Sequence, residues 1–548
     1  MVFRVERDPL GDVRVPADAY YGVQTTRAVE NFPISGLTAH PELVTATVFI
    51  KKAAAEANAA LHRLDAEVAR AIVRAADDVL NGKLRDQFVV DVYQAGAGTS
   101  HNMNANEVLA NRAAEILGAP LGEYTRVHPN DHVNMGQSTN DVFPTATRLA
   151  LLFVVRDVLT AARELADGLA AKAREFAGVL KTGRTHLQDA VPITLGQEFE
   201  GYAANVSHAA RDLERTAEQL RELNLGATAV GTGLNAGDDY TKAAIENLAR
   251  YTGLPLRPAA NRFRVTQSMG DVLAVSGAIR RLAIEVSKVA SDLRLLSMGP
   301  RAGIAEIQLP AVQPGSSIMP GKVNPSVPEM VNQVGYQVIG CDAAIAAASD
   351  AGQLELNVMM PVIAWNALHA SRILAEAMRV LHRRCVQDIK ADAERARELL
   401  DRSTALATAL SPYIGYAATA DIAKTSVQTG RPVRDLVRER KLMPDAALDA
   451  ILEPDAMTTP GIPGQDRGSA PGSVANQGRQ TRASNSTDRN RGSATDTDRS
   501  RRRPAARATR KAVSTREPEP TGRARPRRVA TSGSDHGRSR DRRRQRRR

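Results

Sequence analysis

The chain has 548 residues, of which 43% are hydrophobic and only 4% aromatic, a balance that favours an Ala-, Leu- and Val-rich helical protein over a β-sandwich. The net charge of +12 is unevenly spread. Residues 465–548 carry 25 Arg and Lys against 8 Asp and Glu, whereas residues 1–464 carry 48 against 53. The body is therefore mildly acidic, and the basic excess belongs to the tail alone.

In chain order, residues 1–140 predict a mixed domain of loops and shorter helices. Residues 141–391 predict a central domain of long helices, since apolar residues recur there at helical spacing. The predicted helical stretches are 155–176, 196–223, 272–296, 330–348 and a fifth from about 354 past 381, with Pro361 in or near its first turns. Residues 392–464 predict a smaller helical domain.

The stripe that follows Val272 is unbroken over about seven helical turns. Its apolar positions alternate between spacings of three and four residues, as in a heptad repeat. They are Val275, Ile279, Leu282, Val286, Val289, Leu293 and Leu296. Such a stripe can pack within its own subunit or against other subunits, and its length favours a bundle formed between subunits.

The tail, residues 465–548, is built of Arg, Ser, Thr, Pro, Gly and Ala and ends in RRRQRRR. It contains too little apolar surface to offset the entropy of ordering, so we predict that it is disordered. Arg-rich disorder binds phosphate backbones without sequence preference, which makes non-specific nucleic-acid binding a possible role. The alternative is an extension without a selected role, and we favour that alternative.

Cys341 and Cys385 belong to no CxxC or Cys/His cluster, which argues against a disulfide framework and a zinc site. The N-terminus is charged in its first turn and lacks the apolar region of a secretory signal. The apolar run 149–155 is too short to span a bilayer. We therefore expect a cytoplasmic protein that does not enter a membrane.

Four polar, glycine-bearing segments interrupt the helical background, and we predict that each lies between helices. They are GAGTSHNMNANE (96–107), HPNDHVNMGQSTND (128–141), GRTHLQDAVPITLGQEF (183–199) and PGSSIMPGKVNPSVPE (314–329). Singly, each can be explained as a turn or a helix cap. Together they supply Thr, Ser, Asn, His and Lys donors without a carboxylate cluster, which suits a small dianion and argues against a metal site or other cofactor.

The sequence GSSIMPGKVNP resembles the signature loop of the fumarase/aspartase superfamily, and the other three segments match that superfamily in the same order. The resemblance covers about residues 5–464 and places the signature loop at 314–325. It implies a mainly α, three-domain fold whose central long-helix bundle forms a 20-helix core in a homotetramer. Argininosuccinate and adenylosuccinate lyases typically carry QKKNP or YKRNP where this chain has GKVNP.

Three further segments resemble the aspartase branch of the superfamily. They are AYYGVQTTRAVENFPISG (19–36), NLGATAVGTGLNA (224–236) and PEMVNQV (328–334). The resemblance implies reversible deamination of L-aspartate to fumarate and ammonia, by anti-elimination through an enediolate. The alternative is class II fumarate hydratase, which would release water from L-malate.

The resemblance also implies roles for residues of this chain. Ser316 would be the base, His186 would contact the amino group, and Glu329 would orient the histidine. The residues that would bind the substrate are Thr99, Ser138, Thr139, Asn140, Thr185, Ser317, Lys322 and Asn324. Gly315 and Gly321 fit a mobile lid. In this family the site forms only where three subunits meet, so we expect an inactive monomer.

Two residues depart from the family pattern. Gly136 stands where aspartases usually carry Ser, and we expect it to loosen the site. His101 stands where family members commonly have an apolar residue.

Overall fold

Helices account for most of residues 2–465, the part of the chain that this computed structural model describes. The prediction of a mainly helical protein is confirmed. The described residues contain four sheets, and each has only two strands. The predicted disorder of the tail lies outside the described residues, apart from Gln465.

The N-terminal part begins with an antiparallel hairpin and continues with four helices. Its elements are β1 (Phe3–Asp8), β2 (Gly11–Pro16), α1 (Val23–Asn31), α2 (Pro41–Ala60), α3 (Ala66–Leu80) and α4 (Thr99–Ile116). Helix α3 begins where the Asp65 carboxylate accepts hydrogen bonds from the backbone N–H groups of Glu67 and Val68. Ile72 and Leu109 lie in the hydrophobic core of this part.

The central part contains five helices of more than twenty residues. Its elements are α5 (Thr139–Glu175), β3 (Leu180–Thr185), β4 (Gln188–Thr194), α6 (Leu195–Ala217), β5 (Glu222–Leu223), α7 (Asp238–Thr252), β6 (Arg257–Pro258), α8 (Arg262–Gln267), α9 (Gly270–Leu296), β7 (Ile307–Gln308), α10 (Ser326–Asp350), α11 (Met360–Arg384) and β8 (Lys390–Ala391). Each predicted stripe falls on one of α5, α6, α9, α10 and α11. Pro361 lies in the first turn of α11, as predicted.

The heptad stripe of α9 is buried inside its own chain, so the expectation that these residues face another subunit was wrong. Val275, Ile279 and Leu293 are almost completely shielded from solvent, and α9 packs against α6, α10 and α11. The apolar spacing marks a buried face, but it does not say which chain covers that face. A different surface remains open: Tyr336 and Ile339 on α10 are 65% and 41% exposed.

The C-terminal part consists of short helices around a small core of its own. They are α12 (Ala393–Arg402), α13 (Ser411–Ile414), α14 (Tyr416–Thr429), α15 (Val433–Glu439), α16 (Asp445–Ile451) and α17 (Pro454–Met457). The division into domains at residues 140, 391 and 464 stays a prediction. Within residues 2–465, every helix is too short or too polar to cross a membrane.

Candidate active site

The first turn of α5 carries three candidate site residues, Ser138, Thr139 and Asn140. The Ser138 hydroxyl accepts a hydrogen bond from the Asn140 backbone N–H, and the Asp141 carboxylate accepts one from the Ser138 N–H at 2.9 Å. This reciprocal pairing is a capping box, which fixes where the helix starts. It leaves the polar side chains of the first turn at a defined position on the surface.

Asn140 is held by a loop that lies almost ninety residues further along the chain. Pro144 lacks a backbone N–H, so the Asn140 carbonyl four residues earlier has no helical donor. That carbonyl instead accepts a hydrogen bond from Asn224 Nδ2 at 3.1 Å. The Asn140 side chain donates to the Ala229 carbonyl at 2.9 Å. Both contacts lie in the segment 224–236, which therefore shapes the site.

Segment 96–107 was predicted to lie between helices, and this prediction was wrong for most of it. Helix α4 begins at Thr99, so Asn102 and Asn106 lie inside the helix. Their side chains are buried and donate to Asn134 Oδ1 at 3.3 and 3.2 Å, and Asn102 also donates to Thr139 Oγ1 at 3.1 Å. The polar residues that suggested a loop in the sequence instead form a buried hydrogen-bond network, which joins α4 to α5.

Lys51 of α2 joins this buried network through hydrogen bonds to the loop before α5. Its ammonium is fully buried and donates to Asn134 Oδ1 and Gln137 Oε1, both at 2.9 Å. Burial lowers the pKa of Lys51 to about 7, although nearby Asp141 opposes the shift. Burial likewise raises the pKa of Asp141 to about 7. Sequence reasoning missed Lys51, although it lies on the apolar face of α2.

His101, which departs from the family pattern, occupies the apolar position as a neutral side chain. It is 2% exposed, its Nε2 lies 3.0 Å from Thr47 Oγ1, and its ring meets Phe143 edge to face. Burial, helped by the nearby Lys51 charge, lowers the pKa of His101 to about 4. The histidine therefore fits a core environment and is not placed to take part in catalysis.

Thr185 and His186 lie at the tip of the β3–β4 hairpin and are exposed. The turn is two residues long, and both its residues, His186 and Leu187, have positive φ angles of 56° and 59°. Gln188 begins the returning strand. The hairpin therefore presents Thr185 and His186 outward, away from the core of its own chain.

The signature loop carries Ser316 at a half-buried position. The Ser316 hydroxyl oxygen accepts hydrogen bonds from the backbone N–H groups of Ile318 and Met319 at 3.2 and 3.0 Å. Donors on this oxygen favour its ionised form, as a serine base requires. Two of the loop's apolar side chains, Ile318 and Val323, are 83% and 51% exposed, which leaves an uncovered apolar edge beside the serine.

Two hydrogen bonds join the beginning of the signature loop to its end. Gly315 N donates to the Lys322 carbonyl at 2.7 Å, and Asn324 Nδ2 donates to the Gly315 carbonyl at 2.8 Å. A Cβ atom on Gly315 would lie only 2.6 Å from the Lys322 oxygen, so a glycine is needed there. The side chains of Ser317 and Lys322 are exposed, and Glu329 shares a surface cleft with Lys322 and Asn324.

The candidate residues form three groups within one chain. Thr99, Ser138, Thr139 and Asn140 lie at the starts of α4 and α5. Thr185 and His186 lie on the hairpin, while Ser316, Ser317, Lys322, Asn324 and Glu329 lie on or beside the signature loop. Among residues 2–465, no hydrogen bond or ion pair joins one group to another, and the roles assigned to these residues stay predictions.

A metal centre was not predicted for this chain. Within residues 2–465, His, Cys, Asp and Glu side chains form no group of three or more that could hold a metal ion. The polar side chains of the three groups are mainly hydroxyls, amides and one ammonium. Such donors suit the carboxylates of a small anionic substrate.

A family model described as "Lyase" matches residues 11–340, and one described as "Fumarase C C-terminus" matches residues 406–459. The chain is 50% identical over 465 residues to an aspartate ammonia-lyase of Bacillus sp, covering 84% of this chain and 99% of the relative. It is 52% identical over 460 residues to an aspartate ammonia-lyase of Pseudomonas aeruginosa, covering 83% of this chain and 97% of the relative.

Solved structures give the same picture. A Brucella melitensis structure described as fumarate lyase:delta crystallin bound to cobalt is 51% identical, with a TM-score of 0.81, covering 84% of this chain and all of that chain. A class II fumarase from Schistosoma mansoni is 36% identical, also with a TM-score of 0.81, covering 83% of this chain and 99% of that chain. Nearly the full length of each protein is therefore matched by residues of this chain.

Proposed function

Since the chain belongs to the fumarase/aspartase superfamily of lyases, we propose that it is an aspartate ammonia-lyase, which converts L-aspartate reversibly into fumarate and ammonia. One observation carries the choice of substrate. The chain is about half identical to relatives named aspartate ammonia-lyase over nearly their full length, but only 36% identical to a class II fumarase. Class II fumarate hydratase is the second candidate, because the fold is shared.

The proposed reaction starts with the loop serine. Ser316 Oγ takes a proton from carbon 3 of aspartate, and the electron pair moves into the adjacent carboxylate to give an enediolate. The pair then forms the carbon–carbon double bond while the bond from carbon 2 to nitrogen breaks, releasing ammonia. The two backbone N–H donors on Ser316 Oγ support its role as the base. Preorganised donors to the reacting carboxylate, where the negative charge develops, typically contribute about 3–4 kcal/mol each to an anionic transition state.

The other groups would bind the dianion. Ser317, Thr99, Ser138 and Thr139 would donate to the reacting carboxylate, whose negative charge increases during the reaction. Lys322 supplies an exposed ammonium for the second carboxylate. The residues that would complete the site are Asn324 and Thr185 at that carboxylate, Asn140 and His186 at the amino group, and Glu329 as the carboxylate that orients the histidine.

We propose that the complete site forms between subunits of a homotetramer with a 20-helix core. Within residues 2–465, no hydrogen bond or ion pair joins the three groups, and another chain would shield the exposed side chains of Ile318 and Val323 beside Ser316 from water. Tyr336 and Ile339 on α10 give a second apolar surface that another chain could bury. The cysteines Cys341 and Cys385 are free and buried, which suits the cytoplasm.

The test measures fumarate in the ultraviolet after adding L-aspartate or L-malate to the full-length protein. We expect fumarate from L-aspartate, and no more than a trace from L-malate. Rapid release from L-malate with none from L-aspartate would establish the fumarase alternative instead. Aspartate with the purified Ser316→Ala variant is the matched control for contaminating enzymes.

A further inference from the structure

A buried carboxylate lies behind the hairpin that carries Thr185 and His186. Glu306 is completely shielded from solvent, and its two oxygens accept hydrogen bonds from Arg184 Nη2 at 2.9 Å and Nη1 at 3.1 Å. Lys181 Nζ, also on β3, lies 3.2 Å from Glu306. A bidentate guanidinium–carboxylate pair fixes direction as well as distance, which a single ion pair does not.

The hairpin itself is irregular just before this pair. Thr182 faces Pro192 across the sheet, but Arg184 faces Asp189, so a β-bulge separates the two positions. A bulge re-aims the side chains next to it. Gly183 permits the close approach of the strands, since a Cβ there would lie 2.8 Å from the Val191 carbonyl oxygen. The chain is thus shaped locally around the Arg184–Glu306 pair.

The turn that follows is strained. Two-residue turns with positive φ at both positions favour Asn and Gly, whereas this turn uses His186 and Leu187. Side chains with a Cβ are rarely stable in that conformation unless the surrounding structure enforces it. Leu187 is 72% exposed, so its own packing does not enforce the turn. The conformation of the turn must therefore be enforced from the adjoining strand, where Arg184 lies one residue before Thr185.

Glu306 is also fixed at its backbone. Its N–H donates to the Leu296 carbonyl at the end of α9 at 3.0 Å, and its carbonyl accepts from Asp392 N at 2.9 Å. The carboxylate therefore belongs to the rigid frame of the helical bundle. Strand β7 follows Glu306 directly, and the chain then continues toward the signature loop.

We propose that Glu306 and Arg184 are positioning residues, which hold the hairpin turn in the left-handed conformation that presents Thr185 and His186 to the substrate. This inference rests on the proposed function. Its test compares wild type, Arg184→Lys, Leu187→Gly and the double variant. Lysine keeps the charge and loses the bidentate geometry, while glycine adopts positive φ without strain.

We expect Arg184→Lys to raise KM for L-aspartate about tenfold with kcat changed less than about threefold, because this variant keeps Thr185 and His186 and only loosens the turn that presents them. Leu187→Gly alone should behave like wild type. In the double variant, glycine should return KM to within about threefold of wild type, since the turn no longer depends on the pair. Lost stability alone would lower the amount of folded enzyme without raising KM, so a raised KM that glycine restores reports the conformation of the turn.

Arg27→Lys is the matched control, because Arg27 makes a bidentate pair with Asp8 far along the chain from the hairpin. It should lower Tm and leave KM unchanged. Light scattering confirms that all variants keep the same assembly. Wild-type activity with an unchanged KM in Arg184→Lys, or a raised KM that Leu187→Gly fails to restore, would overturn the positioning role alone. Inactivity of wild type on L-aspartate would overturn the proposed function, and this inference with it.

Discussion

Lys51 and Asp141 lie fully buried beneath the first turn of α5, and each opposes the pKa shift that burial imposes on the other. The ammonium holds Asn134 and Gln137, while the carboxylate accepts the backbone N–H of Ser138 and those of two residues in the segment 224–236. The pair therefore links the loop before α5 to the loop that fixes Asn140.

This burial predicts a pH-dependent stability that Lys51→Met should remove. The pKa of Lys51 is about 7 in the folded chain, against an ordinary value of 10.5. Between these pH values the unfolded chain binds a proton that the folded chain lacks, so stability from this group rises with pH. The cost of the buried charge is greatest at and below pH 7. Relative to the variant, wild type should gain up to about 1.4 kcal/mol per pH unit above pH 7.

The measurement is the difference in Tm between wild type and Lys51→Met from about pH 8 to about pH 9.5, a window above the pKa of Asp141 and below that of an unfolded lysine. The difference should shift steadily in favour of wild type. Lys52→Met is the control, because Lys52 forms a more exposed ion pair with Asp77. A difference for Lys51→Met that stays constant with pH would contradict the lowered pKa.

Ser316→Ala should abolish turnover and leave the fold intact. Within residues 2–465, the Ser316 hydroxyl makes hydrogen bonds only inside its own loop, so its loss disturbs no core packing. We expect kcat to fall about a thousandfold or more, within the range that a positioned acid–base group contributes. Ser326→Ala, in the first turn of α10, is the nearby control and should remain active. Turnover of Ser316→Ala within tenfold of wild type would rule out the serine as the base.

Two inactive variants should restore activity to each other if the site is shared between chains. Ser316→Ala removes a side chain of the signature loop, and His186→Ala removes a side chain of the hairpin. Within residues 2–465, no hydrogen bond joins the loop group to the hairpin group. Dissociating and reassembling an equal mixture would produce some sites with both residues intact. Fumarate release should then reappear in the mixture and stay absent from each variant treated alone. Continued inactivity of assembled mixed oligomers would contradict a composite site.

Much of the scaffold could be predicted from the sequence, because apolar spacing alone marks long helices. The stripes around Val158 and Ile279 fall on α5 and α9 as predicted. The sequence could not predict which chain packs against each stripe. Apolar spacing shows that a helix face is buried, but it does not show whether the same chain or another chain buries it. The α9 stripe turned out to pack within its own subunit.

For a related reason, only part of the candidate site could be predicted from the sequence. Ser316 and His186 lie in short segments with recognisable residue order, whereas Lys51, Asn102 and Glu306 act through partners far away in the chain. A lysine in an Ala-rich helix looks like a surface residue until the three-dimensional contacts are known. The asparagines of α4 look like a loop for the same reason, because their donors are satisfied only by tertiary contacts.

Gly136→Ser should destabilise the protein, even though aspartases usually carry serine at this position. Gly136 has a φ of +74°, and a Cβ there would lie 3.4 Å from the buried Tyr240 ring. The left-handed conformation costs a side chain about 1–2 kcal/mol. Thermal unfolding of Gly136→Ser should therefore show a lower Tm. Gly201→Ser, on an exposed face of α6 with open space around it, is the control and should not lower Tm. An unchanged Tm for Gly136→Ser would show that this loop adapts freely.

Truncation after Gln465 should leave catalysis unchanged and remove any affinity for nucleic acid. The body is mildly acidic, and the positive charge that could bind phosphates lies in residues 466–548. Because every proposed site residue lies before residue 330, we expect kcat and KM of the truncated chain to match those of the full chain. If the tail binds DNA, the full chain alone should be retained on a DNA column, and retention should fall steeply as salt rises. Changed kinetics in the truncated chain would show that the tail contributes to the enzyme, and DNA retention of the truncated chain would place the binding surface in the body.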